Sequence, residues 1–213
     1  MSRLGSNPPL RDQLAVPSVR LAPRLLGAVL TSNIGGDTVS IRLTEVEAYE
    51  GSLDPASHAY RGLTPRTEVM FGPAGHLYCY FTYGMHWCAN IVCGTDGVAS
   101  AVLLRAGEII AGHHIARARR PKTRRDTDLA QGPARLASCL GLGRATNGLD
   151  LLDPTSPVRL EYVPSRRPRG TESGPRIGIS RAVEHPWRFW LADNPTVSRT
   201  PRPRSSPGID PTP

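Results

Sequence analysis

Amines are nearly absent from this chain. Of its 26 Lys and Arg residues, 25 are arginines and one is a lysine, Lys122. Codon bias explains the skew as well as selection does, and the chemical consequence is the same. Chemistry through a Schiff base needs an accessible amine. Lys122 lies in the basic run Arg119–Arg125, which reads as a phosphate-contacting loop, and the N-terminal amine sits on a Pro-rich stretch. Paired cysteines are missing too. Cys79, Cys88, Cys93 and Cys139 form no CxxC motif, and His113-His114 has no cysteine in ligand spacing. Neither a metal site nor a cofactor is expected, and the thiols read as reduced and buried. No apolar run reaches transmembrane length, and Pro8, Pro9 and Pro17 stand where a signal peptide needs an apolar stretch. The expectation is a cytoplasmic protein without membrane association.

Acid is the minority charge: 18 Asp and Glu leave a net charge of +8. Such a balance favours polyanion partners, because each neutralised phosphate releases counterions. The 213 residues suffice for one core and one domain. Three parts are expected: an extended N-terminal segment at 1–17, a folded domain at 18–198 and a disordered Pro/Arg-rich tail at 199–213.

Within the domain, Ser18–Leu26 reads as a short helix capped by Ser18, and Ala28–Thr31 as a strand. Val39–Tyr49 alternates strongly, so Val39, Ile41, Leu43, Glu45, Glu47 and Tyr49 are expected on one face of a strand. Residues 50–75 read as a long functional loop. His76–Thr82 and Trp87–Cys93 are aromatic-rich strands around a turn at Tyr83-Gly84-Met85-His86, and Val98–Arg105 is a buried strand. Helices are expected at Glu108–Ala118 and Leu129–Leu140, the latter broken near Gly132-Pro133, and strands at Val158–Val163, Arg176–Ile179 and Arg188–Ala192. Clustered hairpins with late helices predict an α+β fold: one mostly antiparallel, curved sheet, flanking helices and a protruding hairpin.

Glu47 is the first candidate for chemistry. A carboxylate facing the same side as Leu43 and Tyr49 is desolvated unless paired, so it is either an acid/base group or half of a structural ion pair. Glu45, two residues earlier, makes a glycosidase carboxylate pair conceivable, closer to the retaining spacing than to the inverting one. His58 lies in a turn-like loop and is either solvated or functional. Tyr83 and Met85 at a hairpin tip are unusual, since tips favour small polar residues. They form a wedge of the kind inserted between base steps, or they fold back onto the core.

Several segments in order carry a resemblance: Thr44–Tyr49, His58, Thr64-Pro65-Arg66, Met70-Phe71, Tyr83-Gly84-Met85, Cys88-Ala89-Asn90, Val102–Arg105, Gly132-Pro133 and Arg176–Ile179. From about Pro23 to Ser198 the chain resembles the alkyladenine (3-methyladenine) DNA glycosylases. It departs at His86 and Trp87, where a vertebrate member carries tyrosine and phenylalanine. The resemblance implies an enzyme that flips a damaged purine out of DNA and hydrolyses its bond to the sugar; the shortage of amines makes it monofunctional, and the wedge points to double-stranded DNA. Glu47 matches the general base, and Arg105, with the backbone carbonyl of Ile177, matches the groups holding the attacking water. Tyr49, His58 and Tyr80 match the residues that sandwich the base, Asn90 the pocket floor, and Tyr83 and Met85 the intercalating wedge. The expected partner is damaged duplex DNA, and the expected state a monomer. The rivals are a nucleic-acid-binding protein without catalysis and a sugar hydrolase using Glu45 and Glu47.

Overall fold

The alternating stretch forms one strand, β2 (Val39–Tyr49), with the bounds the pattern predicts. It is the spine of a computed structural model that describes residues 10–161 and 167–198. The expected tail at 199–213 lies outside the described residues, as do positions 162 and 163 of the expected strand Val158–Val163. Around β2 lie β1 (Val29–Ser32), β3 (Leu77–Thr82), β4 (His86–Val92), β5 (Ala101–Ala111), β6 (Val158–Glu161), β7 (Thr171–Gly174) and β8 (Arg188–Leu191). These pair antiparallel in one sheet of order β3-β4-β5-β2-β1-β6, with β8 pairing to both β2 and β7. The helices are α1 (Leu10–Leu14), α2 (Ser18–Leu25), α3 (His113–Arg119) and α4 (Pro133–Leu140). The α+β expectation holds.

β2 pairs with β5 along most of its length but changes partner on its other edge. There β1 meets Val39–Arg42 and β8 meets Glu45–Glu47. At the change the register to β5 slips: Leu43 faces Gly107 while Glu45 faces Ala106. The slip is a β-bulge, and a one-residue bulge reverses side-chain parity beyond it. Val39, Ile41 and Leu43 join the main core before it, and Val46 and Ala48 after it. The expected sharing of one face by Leu43, Glu45, Glu47 and Tyr49 is therefore corrected. The two acids and Tyr49 leave the apolar side together. Gly107 is needed opposite the slip, because a Cβ there would lie 2.3 Å from Ile41 Cγ2 and 2.6 Å from the Arg42 carbonyl oxygen.

Other expectations need correction. The first segment is not extended throughout: Leu10–Leu14 is helical, pinned by the fully buried Leu14 and by Arg11, which bonds Asp150 at 2.6 Å. Ser18 is the first helical residue of α2, not its cap; Glu50 Oε1 accepts from the Val19 amide at 3.0 Å and the Ser18 hydroxyl at 2.7 Å. A distant carboxylate thus satisfies an orphan amide at the helix start. No helix begins at Glu108. β5 runs on to Ala111, and the chain turns at Gly112 (φ 76°), where a Cβ would lie 2.2 Å from the Thr38 carbonyl oxygen. α4 begins only at Pro133, its first helical position. Arg176–Ile179 is a loop; the strand is Thr171–Gly174 just before it.

α2 and α4 cover one face of the sheet with Leu21, Leu25, Leu136 and Leu140, all fully buried. Each such side chain stabilises by roughly 1.5–3 kcal/mol relative to exposure. The opposite face, from β2 to the β3–β4 hairpin, is left to carry a cleft. No helix among the described residues is long and apolar enough to cross a membrane.

Candidate active site

The cleft holds about 370 Å³, with walls from β2, β3, β4, β5, the 55–58 loop and the 177–179 loop. Tyr49, His58, Tyr80, Tyr83, Asn90, Arg105 and Ile177 all line it. Glu47 lies behind them with no exposed surface. The Tyr49 hydroxyl donates to Glu47 Oε2 at 2.9 Å, and the Ile177 amide donates to Oε1 at 2.7 Å. Arg105 Nη1 stands 3.2 Å from the same Oε1. Burial raises the Glu47 pKa above its ordinary value; the Arg105 charge and these two hydrogen bonds offset that rise only in part. The carboxylate is therefore a stronger base than a solvated one. Ile177 meets Glu47 through its amide, whereas the resemblance implies its carbonyl as a water ligand.

Glu45 is equally buried but differently used. Its Oε1 accepts from Arg105 Nε at 2.9 Å, Arg188 Nε at 2.7 Å and the Ser198 hydroxyl at 2.7 Å, and its Oε2 accepts the Ser198 amide at 2.6 Å. Burial pushes its pKa up, but the two arginines and Ser198 outweigh that and hold it below the ordinary value. Neighbouring carboxylates thus differ in proton affinity, and only Glu47 lies directly behind the cleft wall.

The aromatic walls come from strand pairing. His58 stands edge-on to Tyr80, ring centroids 4.5 Å apart, and its Nδ1 is 3.2 Å from the Tyr78 hydroxyl. The residue as a whole remains partly exposed to solvent. Desolvation of its inner side, and then the Arg66 charge, push its pKa down to about 4, so it is neutral at pH 7. Asn90 is almost fully buried, and its Nδ2 donates to the Tyr78 carbonyl at 3.1 Å.

The β3–β4 hairpin closes over Tyr83-Gly84-Met85. Tyr83 (φ 50°) and Gly84 (φ 66°) both take positive φ, as primed turns require. A tyrosine there costs backbone energy, on the order of 1–3 kcal/mol. The tip does not fold back: Tyr83 is 82 % exposed and Met85 68 %. Lys122 is exposed and does not line the cleft. Among the described residues, no three His, Cys, Asp or Glu side chains come together as metal ligands.

Four residues that shape the site carry no local signal of their role. Arg188 and Ser198 hold Glu45 from 143 and 153 positions away. Arg176 and Asp54 form a fully buried pair, with Arg176 Nη2 2.8 Å from Asp54 Oδ1. The Arg176 guanidinium also covers the Tyr49 ring at 4.6 Å and bonds the Ala48 carbonyl at 2.9 Å. Arg176 is quoted above as part of a motif, but nothing in the sequence points to Asp54 as its partner.

The sequence profile of the methylpurine-DNA glycosylase (MPG) family matches residues 12–195. The chain belongs to this family. It is a DNA glycosylase, a hydrolase of DNA repair by base excision. Similar proteins occur in Streptomyces avermitilis (51 % identical over 203 residues, 92 % of this chain and 95 % of the relative) and Nocardia farcinica (47 % over 202 residues, 92 % and 93 %). A third, in Rhodococcus jostii, is 51 % identical over 186 residues, 84 % of this chain and 82 % of the relative. Each bears the name "Putative 3-methyladenine DNA glycosylase". The matched span contains every cleft residue described above.

Proposed function

We propose that this protein is a monofunctional glycosylase that flips alkylated or deaminated purines, such as 3-methyladenine, out of duplex DNA and releases them as free bases. It acts as a monomer in the cytoplasm. The observation that carries the reading is Glu47, fully buried beside Arg105 behind an aromatic cleft. A base inside a duplex cannot be reached, so it must leave the stack at a cost of a few kcal/mol. Tyr83 fills the gap it leaves and offsets part of that cost. Tyr49, His58 and Tyr80 hold the flipped purine, and the neutral His58 spares a cationic lesion a repulsive charge. Arg105 helps to orient a water. Glu47 takes its proton while the water oxygen attacks the sugar carbon. The bond to the base breaks, the electron pair leaves with the base, and a hydroxyl remains on the sugar. The negative charge of Glu47 also stabilises the positive charge that develops on the sugar.

Water, not an amine, is the nucleophile, since the lysine count is one and Lys122 lies outside the cleft. The sugar-hydrolase rival needs two working carboxylates, and Glu45 is bound to Arg105, Arg188 and Ser198. The test is free-base release from a panel of lesion duplexes by wild type and Glu47→Gln. The variant should lose excision by at least about a hundredfold, in line with loss of a general base. Its affinity for lesion DNA should stay within about tenfold, since phosphate contacts dominate binding. Near-normal excision by the variant would overturn the assignment and favour a role in folding.

A further inference from the structure

Arg105 serves two carboxylates at once. Its Nε is 2.9 Å from Glu45 Oε1 and its Nη1 is 3.2 Å from Glu47 Oε1. A guanidinium is a rigid planar fork, so fixing one edge fixes the other. Glu45 is the anchored end. Arg188 and both the amide and the hydroxyl of Ser198 bind it, Arg188 Nη2 bonds the Ser198 carbonyl at 3.1 Å, and Arg105 Nη2 reaches the Ser198 hydroxyl at 3.4 Å. We propose that Glu45 is a positioning residue for base excision: held by Arg188 and Ser198, it fixes the Arg105 guanidinium against Glu47 and thereby sets the basicity of Glu47. This rests on the reading of Glu47 as the general base.

The charges around Glu47 make the direction definite. On its own strand stand Glu45 and Tyr49; across from it stand Arg105 on β5 and Arg188 on β8, with Arg176 on the 175–179 loop and Tyr80 on β3. Glu45 supplies the opposing negative charge, and it also claims part of Arg105. Both effects keep a proton on Glu47 more readily than Arg105 alone would allow.

The experiment is the single-turnover excision rate against pH for the full chain, on one lesion duplex, with wild type, Glu45→Gln, Glu45→Asp and Glu47→Gln. In Glu45→Gln the acid limb should move to lower pH. The plateau should fall, by about tenfold to a hundredfold, because Arg105, released from its anchor, closes on Glu47, which weakens it as a base and takes the guanidinium from where it orients the water. Lesion-DNA affinity should stay within about threefold of wild type, given that phosphate contacts carry it. Glu45→Asp keeps the charge but cannot reach Arg105 and Ser198 together; its limb should stay near the wild-type position while its plateau still falls. A folded Glu45→Gln with an unmoved limb makes Glu45 a passive scaffold and overturns the proposal. If that variant does not fold, a wild-type plateau in Glu45→Asp overturns it instead. Retained excision in Glu47→Gln is a different failure, that of the general-base reading itself.

Discussion

Replacing Asp54 with asparagine should damage this enzyme more than any surface charge change. Asp54 and Arg176 form an ion pair with both side chains at 0 % exposure. Asp54 also accepts the Ala56 amide at 3.0 Å, and Arg176 lies between the rings of Tyr49 at 4.6 Å and Trp187 at 5.1 Å. Removing one partner of a buried pair costs about 3–5 kcal/mol, because the other charge stays desolvated and unpaired. Asparagine keeps one acceptor, which recovers about 1 kcal/mol. The net loss is then about 2–4 kcal/mol. For a chain of this length each kcal/mol moves Tm by roughly 2–4 °C, so Tm should fall by about 10 °C. The control is Glu108→Gln, which breaks the Arg42–Glu108 pair at 3.1 Å, where both side chains are nearly half exposed. Exposed pairs contribute about 0–1 kcal/mol, so that variant should melt within about 4 °C of wild type. Scanning calorimetry on the three proteins decides the matter. Equal melting of the two variants would refute the argument that burial, not pairing as such, gives the Asp54–Arg176 contact its strength. Below the melt, Asp54→Asn should also slow excision more than it weakens DNA binding, because Arg176 adjoins Ile177, whose amide holds Glu47.

Two further outcomes follow from the cleft and its hairpin. Tyr83→Ala removes the exposed tip side chain and should slow excision from a well-stacked duplex by roughly 1–3 kcal/mol, the value of base–aromatic stacking; a lesion already poorly stacked should lose much less, and equal loss on both would point to a folding defect. Asn90→Ser opens space near the Tyr78 carbonyl, so undamaged guanine should be released detectably while hypoxanthine release changes less; equal guanine release by both proteins would show that Asn90 only braces β4.

Much of this was legible because its signals are local. The period-two pattern from Val39 to Tyr49 delimits β2, and the aromatic runs on either side of Tyr83 delimit the hairpin. Glu47, Tyr49 and Arg105 stand out as polar groups on buried strands. What was not legible depends on distant partners. Parity in β2 reverses because β1 gives way to β8 beside it, and no residue between Leu43 and Val46 announces that exchange. Helix was expected from Glu108 because its composition allows one, yet pairing with β2 keeps the backbone extended to Ala111. Arg176–Ile179 looks like a strand by its residues, but its first two positions are spent on Asp54 and Glu47. Arg188 and Ser198 were unremarkable until the sheet brought them to Glu45.

The bulge in β2 gives this strand something like a reading frame. Upstream of it odd-numbered side chains belong to the oily interior; downstream even-numbered ones do. Deleting one residue from the regular part of the strand, Arg42 for instance, would throw that frame out, sending Glu47 into the leucines and Ala48 towards the cleft. Substitutions along the strand can be absorbed one at a time, each at its own cost. A change of length cannot, because it exchanges every side chain beyond it at once. These few residues form a stretch in which the count matters as much as the spelling.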